Sequence, residues 1–228
     1  MTEALRNVLA RLGPLIVNDE AVAEREQLLA RLDEDERRTK RASHLRAERV
    51  PLLEHARSAI VRGEPLPVHP KSLEAVQRWL RRPDVRPWLF LSGRPGCGKS
   101  VSAAWALANG PSFGLWFSAQ ALARAFSASF GPHADMQERA LCADLLVIDD
   151  LGTEPHPERF APSLVRILEA RKNTDYRTLV TTNLSELELR RRYSDPRILS
   201  RFGQQAHVIS DPGPDLRLVP VAPESGAR

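Results

Sequence analysis

GRPGCGKS, residues 93–100, is the part of this 228-residue sequence from which its architecture can be read. The segment matches the phosphate-binding pattern G-x-x-x-x-G-K-[ST] through Gly93, Gly98, Lys99 and Ser100. A strand pattern precedes it and a helix pattern follows, so backbone N–H groups can cradle phosphate oxygens at a helix N-terminus. Only four of the 33 lysine and arginine residues are lysine, and a compact ammonium suits a narrow loop better than the planar fork of arginine.

This loop and the residue after it form the predicted nucleotide-binding set. We expect Lys99 to reach the β- and γ-phosphates of ATP, and the Ser100 hydroxyl to bind Mg²⁺. The residues predicted to contact the nucleotide are Gly93, Arg94, Pro95, Gly96, Cys97, Gly98, Lys99, Ser100 and Val101.

The segment DLLVIDDLG, residues 144–152, predicts the second half of the site. Its apolar residues 145–148 are typical of a strand buried on both faces. Asp149 and Asp150 follow at the carboxyl end, where ligands bind in open α/β sheets. We expect Asp149 to hold Mg²⁺ through water, and Asp150 to orient or deprotonate the attacking water. The alternative is a strand that merely ends in an Asp-Asp turn.

The segment TLVTTN, residues 178–183, places a polar amide at the end of another strand. If this strand neighbours the Asp149 strand, Asn183 can position the attacking water near the γ-phosphate. The alternative is an asparagine in a turn before a capped helix. Ser185 and Glu188 predict the capping box of that helix.

Composition restricts the class of protein without identifying it. The chain is 42% hydrophobic with a net charge of +4 and a pI near 9.5, which permits a nucleic-acid partner but does not require one. Cys97 and Cys142 lack metal-ligand spacing, which favours reduced thiols and a cytoplasmic protein. No apolar run is long enough to span a bilayer, so no membrane partner is expected.

The order of strand and helix patterns predicts an α/β fold with a parallel sheet covered by helices on both faces. Five strand patterns occur after residue 70, in PWLFLSG, FGLWFSA, ADLLVIDDLG, RTLVTTNL and AHVIS. Residues 1–63 are predicted to be a helical partner-binding region, 64–218 the nucleotide-binding domain, and 219–228 a disordered tail. The stretch 23–50 is charged on most faces, so it is either a solvated helix or partly disordered.

The order of GRPGCGKS, LWFSAQAL, LLVIDDLG, TLVTTNL and ILSRF resembles the AAA+ ATPases of the DnaC/DnaI helicase-loader and IstB transposition-helper group. The resemblance covers about residues 65–217 and implies a P-loop NTPase fold. It assigns Lys99 and Ser100 to the Walker A positions, the pair 149–150 to Walker B, and Asn183 to sensor 1.

The resemblance also implies two arginine roles. Arg201, within SRF, matches the arginine finger that reaches the γ-phosphate bound by a neighbouring subunit, and the alternative is a surface arginine. The residues after Arg201 are too few for the usual AAA+ helical lid, so the domain is expected to be lidless or nearly so. Arg217, within GPDLR, is the candidate replacement for the second sensor that such a lid carries.

The function implied is Mg²⁺-dependent ATP hydrolysis, weak basally and stimulated by self-association or DNA. The protein would assemble on DNA, and the resemblance to helicase loaders implies single-stranded DNA. It would load or remodel a replicative helicase that docks on residues 1–63. Trp116, Phe117 and Arg124 are candidates for the DNA channel, although a place in the core is the stronger interpretation for the two aromatic residues.

Two alternatives remain open from the sequence. An IstB-like helper of a transposase would share every nucleotide-site residue, so these motifs do not separate the two. A P-loop small-molecule kinase would need an acceptor pocket and a mobile lid, for which ELRRRYSDPR, residues 188–197, is a candidate. The Asp-Asp strand end and TTN suit water activation better than transfer to a substrate.

Overall fold

The computed structural model describes residues 19–82, 86–127, 132–172, 174–193, 195–211 and 213–216. Its sheet contains β1 (Trp88–Gly93), β2 (Gly114–Ser118), β3 (Leu145–Asp149), β4 (Arg177–Thr182) and β5 (Ala206–Asp211). The order is β2-β3-β4-β1-β5, and every paired strand is parallel. The predicted five-stranded parallel sheet is confirmed. Arg217 and the predicted tail 219–228 lie outside the described residues.

Helices cover both faces of this sheet, as predicted. Their bounds are α1 (Asp19–Ala47), α2 (Glu54–Arg62), α3 (Pro70–Arg81), α4 (Lys99–Asn109), α5 (Ala119–Ser127), α6 (Pro132–Cys142), α7 (Pro157–Arg171), α8 (Glu186–Arg192) and α9 (Pro196–Gln205). One apolar core packs α5 to α9 against one face, and a second packs α1 to α4 against the other. None of these helices is both long and apolar enough to cross a membrane.

The charged stretch 23–50 is helical over most of its length, because α1 extends to Ala47. Its last turn docks through Leu45, which is fully buried in the second core beside Ile60 of α2 and Leu107 of α4. Arg41 donates from Nη1 to the Val61 carbonyl (2.8 Å), which ties α1 to the end of α2. The first two helices therefore share an apolar core with α3, α4 and the sheet.

Side chains also engage backbone groups on strands at both margins of the sheet. The Trp116 N–H of β2 donates to Glu48 Oε2 (3.1 Å), just after α1. Lys71 of α3 donates from Nζ to the Ser210 carbonyl of β5 (2.8 Å). Strand margins with unpaired backbone groups invite pairing with other chains, and these contacts reduce that tendency.

Candidate functional site

The segment 93–100 forms a loop between β1 and the first turn of α4, as its glycines predict. Gly96 and Gly98 have φ values of +79° and +93°, which favour glycine over other residues. A Cβ on Gly98 would lie 2.7 Å from the Val68 Cβ, and a Cβ on Gly96 would lie 1.8 Å from Asp215 Oδ1. Both backbone conformation and close packing therefore require glycine here.

Lys99 begins α4, and its side chain turns back into the loop. The residue is 4% exposed, and Nζ donates to the carbonyls of Gly93 (2.9 Å) and Arg94 (2.8 Å). It also donates to Asn183 Oδ1 (2.9 Å), at the end of β4. The predicted phosphate-binding lysine and the predicted sensor amide are thus in direct contact.

Ser100 and Asp149 also meet, from α4 and the end of β3. Ser100 Oγ donates to Asp149 Oδ1 at 2.8 Å, and Thr181 Oγ1 donates to the same oxygen at 2.6 Å. Burial raises the pKa of Asp149 above its ordinary value, while hydrogen bonds from Thr181 and Ser100 oppose this effect. Hydroxyl and carboxylate oxygens are hard ligands of the type Mg²⁺ takes, so this pair fits the predicted metal.

Asp150 begins the turn after β3, with φ at +55°. Its backbone N–H donates to Thr181 Oγ1 (2.9 Å), and the next N–H, of Leu151, donates to the Thr181 carbonyl (2.8 Å). Thr182 Oγ1 donates in turn to the Leu151 carbonyl (2.7 Å). The turn that carries the proposed water-activating carboxylate is therefore fixed to β4.

The sequence interpretation did not assign roles to Thr181 and Thr182. Both are fully buried, and each hydroxyl contacts the β3 strand end or its turn. The sequence feature that could have indicated these roles is a pair of adjacent hydroxyl residues at the end of a strand with an apolar centre. Buried hydroxyls require partners, so such a pair indicates a polar neighbour.

Other residues predicted from the sequence are Arg201, Arg217, Trp116 and Phe117. Arg201 lies in α9, which is anchored by buried Ile198 and Phe202. The Leu216 N–H donates to the Gly96 carbonyl (3.0 Å), so the chain just before Arg217 lies against the phosphate loop. Trp116 and Phe117 belong to the two cores on opposite faces of the sheet, in agreement with the core alternative for both.

The sheet order and the site together define a P-loop fold of the AAA+ type, and comparison with solved structures agrees. The DnaC helicase loader aligns at 19% identity over 69% of this chain and 99% of that chain, with a TM-score of 0.54. DnaI aligns at 20% identity over 71% of this chain and 87% of that chain, with a TM-score of 0.51.

A structure of the replication initiator DnaA bound to AMPPCP and single-stranded DNA aligns at 21% identity, with a TM-score of 0.51. This match covers 60% of the present chain and spans only 44% of the initiator. By sequence, no family model and no curated protein matches. At these identities the similarity establishes the fold alone, which this chain shares with the DnaC, DnaI and DnaA structures.

Proposed function

We propose that this protein is an Mg²⁺-dependent ATPase that assembles on DNA and loads or remodels a replicative helicase. The central observation is that two contacts lie side by side at the carboxyl ends of the neighbouring strands β3 and β4. Ser100 Oγ lies 2.8 Å from Asp149 Oδ1, and Lys99 Nζ lies 2.9 Å from Asn183 Oδ1. A phosphate-binding lysine beside a hydroxyl–carboxylate pair suits a triphosphate with its metal.

In hydrolysis, water attacks the γ-phosphorus, the bond to the β–γ bridging oxygen breaks, and ADP and phosphate leave. Lys99 exchanges its carbonyl partners for the β- and γ-phosphate oxygens. Ser100 and, through water, Asp149 would hold Mg²⁺, which would supply neutralisation of the phosphate charge. Asp150 and Asn183 orient the water, and Asp150 takes its proton.

Two arginines complete this proposal. Arg201, carried by α9, acts on the nucleotide of an adjoining protomer, where it stabilises transition-state charge. Arg217 binds the nucleotide as a second sensor, supported by the contact of Leu216 with the phosphate loop. Because the finger comes from another protomer, dilute protein hydrolyses ATP slowly, and self-association or DNA accelerates the reaction.

A basic groove of about 310 Å³ supports the DNA interaction. It lies between α5 and the start of α7, and its basic lining residues are Arg124, His156 and Arg159. All three are exposed, and the N-terminus of α7 adds a partial positive charge. Phosphate contacts dominate affinity for DNA, so this groove suits a single strand without requiring sequence readout.

A second groove, of about 660 Å³, supports protein docking on residues 1–63. It lies between α1 and α2 and contains Arg46, Arg49, Arg57 and Arg62, opposed by Glu54. An excess of arginine suits an acidic partner surface.

The helicase role is tested by affinity capture from the native host with the full-length protein as bait. We expect a replicative helicase in the eluate, and its loss when Arg46 and Arg49 are changed to glutamate. Recovery of a transposase instead would support the transposition-helper alternative and overturn the helicase assignment. The doubly substituted protein should melt at the wild-type temperature, because both arginines are exposed.

A further inference from the structure

Glu154, in the turn after β3, is a buried carboxylate with a full set of donors. The residue is 1% exposed. Oε2 accepts from the Gly152 N–H (2.9 Å), and Oε1 accepts from Arg192 Nε (3.0 Å) and Tyr193 Oη (2.6 Å). Arg192 also donates to the Glu154 carbonyl. Such an arrangement compensates the cost of removing the charge from water.

On one side, Glu154 controls the turn that carries Asp150. Its bond to Gly152 closes this turn, in which the Thr153 N–H donates to the Asp150 carbonyl (3.1 Å). Gly152 packs so closely against Leu184 that an added Cβ would lie 2.5 Å from Leu184 Cδ1. The turn that Glu154 closes therefore packs against Leu184, the residue after Asn183.

On the other side, Glu154 holds the junction between α8 and α9. Arg192 ends α8, and Tyr193 is its fully packed C-cap at 1% exposure. Burial, with a contribution from Glu154, raises the pKa of Tyr193, so its hydroxyl remains a proton donor at neutral pH. Two residues later, Asp195 caps α9 through the Arg197 N–H (2.9 Å), and α9 carries Arg201.

We propose that Glu154 is a positioning residue. Within one protomer, it couples the turn that carries Asp150 to Arg201, the finger that this protomer presents to its neighbour. The carboxylate fixes the Asp150 turn to the α8–α9 junction, so the two move as one unit. The inference rests on the proposed ATPase function and on Arg201 acting across protomers. It adds a route by which the state of one nucleotide site reaches its neighbour.

The test isolates the finger end of this connection with mixed assemblies. Arg201→Ala protein keeps a nucleotide site but lacks a finger, and Lys99→Ala protein keeps its finger but cannot seat a triphosphate. When the two proteins are mixed, an intact nucleotide site of the first can meet an intact finger of the second, which makes one complete site. The hydrolysis rate of this mixture is the reference. Glu154→Gln, which preserves shape and removes the charge, is then added to the Lys99→Ala protein alone.

We expect hydrolysis at least tenfold slower than the reference, since misplacing a reacting group by about 1 Å costs up to roughly 100-fold. The affected Glu154 lies in a subunit without seated nucleotide, so a purely local role would leave this rate unchanged. An unchanged rate would overturn the inference while the ATPase assignment stood. A reference mixture and a wild-type protein that both fail to hydrolyse ATP would overturn the assignment, and the inference with it.

Two further variants guard against misfolding. Tyr193→Phe removes one donor and keeps the ring, so we expect a smaller loss in the same assay with an unaltered circular dichroism spectrum. Glu186→Gln, which breaks an exposed ion pair with Arg190 one turn earlier on α8, is the matched control. Equal rates for the Tyr193→Phe and Glu186→Gln donors would contradict the coupling.

Discussion

Lys99 and Asn183 show how single side chains prepare the site before a ligand arrives. The ammonium has three oxygen partners within 2.9 Å, two of them carbonyls of its own loop. In the proposed reaction, a triphosphate would replace these partners with phosphate oxygens and free the Asn183 amide for the attacking water. In the structure, the contact with Asn183 stabilises the buried lysine and holds the two side chains together.

The motif residues were predictable because the ligand imposes their spacing. Lys99, Ser100 and Asp149 are recognisable in the sequence, and the structure brings the last two into hydrogen-bond contact. Thr181 and Glu154 were not assigned roles, because their partners are distant in the chain and a threonine in a strand is ordinary. Only the folded sheet shows that these residues hold the acidic turn.

Thr181→Val tests the support for that turn. The change leaves the Asp150 N–H without its acceptor and removes one of the two hydroxyl donors to Asp149 Oδ1, which keeps its bond from Ser100. We expect the free energy of unfolding to fall by about 1–3 kcal/mol, measured by urea denaturation, with slower ATP hydrolysis. Thr39→Val, at an exposed position on α1, is the control. Equal stability of the two variants would show that the Thr181 hydroxyl does not fix the turn.

At the scale of elements, a buried cation joins α7 to its neighbours. Arg171 is fully buried and donates to Thr178 Oγ1 (2.9 Å) and to three backbone carbonyls. These carbonyls belong to Ala140, Leu141 and Arg177. Burial lowers the pKa of Arg171 to about 10, which still leaves it charged at neutral pH. The guanidinium thus connects α6, α7 and β4.

Arg171→Met tests this connection, because methionine fills much of the space and donates no hydrogen bond. We expect a loss of about 2–4 kcal/mol in unfolding free energy, measured by urea denaturation. Arg166→Met, exposed on the same helix, should change stability by less than about 0.5 kcal/mol. A similar small effect at Arg171 would contradict its connecting role.

The elements differ in how far the sequence predicted them. All five strands were expected, because each is a short apolar run between turn signals. The Ser185–Glu188 capping box is also confirmed, with reciprocal bonds between the two residues. Helices α6 and α9 were not predicted, since each is short and mostly polar and α9 buries only Ile198 and Phe202 among its described side chains. Helices this short gain most of their stability from tertiary packing.

At the scale of the whole molecule, α1 and α2 are structurally continuous with the parallel-sheet domain. The boundary predicted between residues 63 and 64 stays a prediction about function. The apolar core crosses it, because Leu45 and Ile60 pack in the same cluster as Trp79 and Leu107. A partner that binds α1 could therefore affect α4, whose first residue is Lys99.

Leu45→Ala tests this continuity. A cavity at this fully buried position should lower the unfolding free energy of the whole chain by about 2–5 kcal/mol, in a single transition followed by tryptophan fluorescence. Leu28→Ala, at a position 53% exposed on the same helix, is the control. An early separate transition, with the tryptophan transition unchanged, would show that α1 is energetically independent.

The central claim is that Lys99, Ser100 and Asp149 together seat a triphosphate and its magnesium ion. Isothermal titration of the full-length protein with MgATP tests it most directly. We expect saturable binding of one nucleotide per chain, abolished by Lys99→Ala in protein that melts normally. Titration of EDTA-treated protein with ATP in the absence of Mg²⁺ should give weaker binding. Absence of binding by the wild-type protein, or equal binding by the Lys99→Ala protein, would contradict the claim.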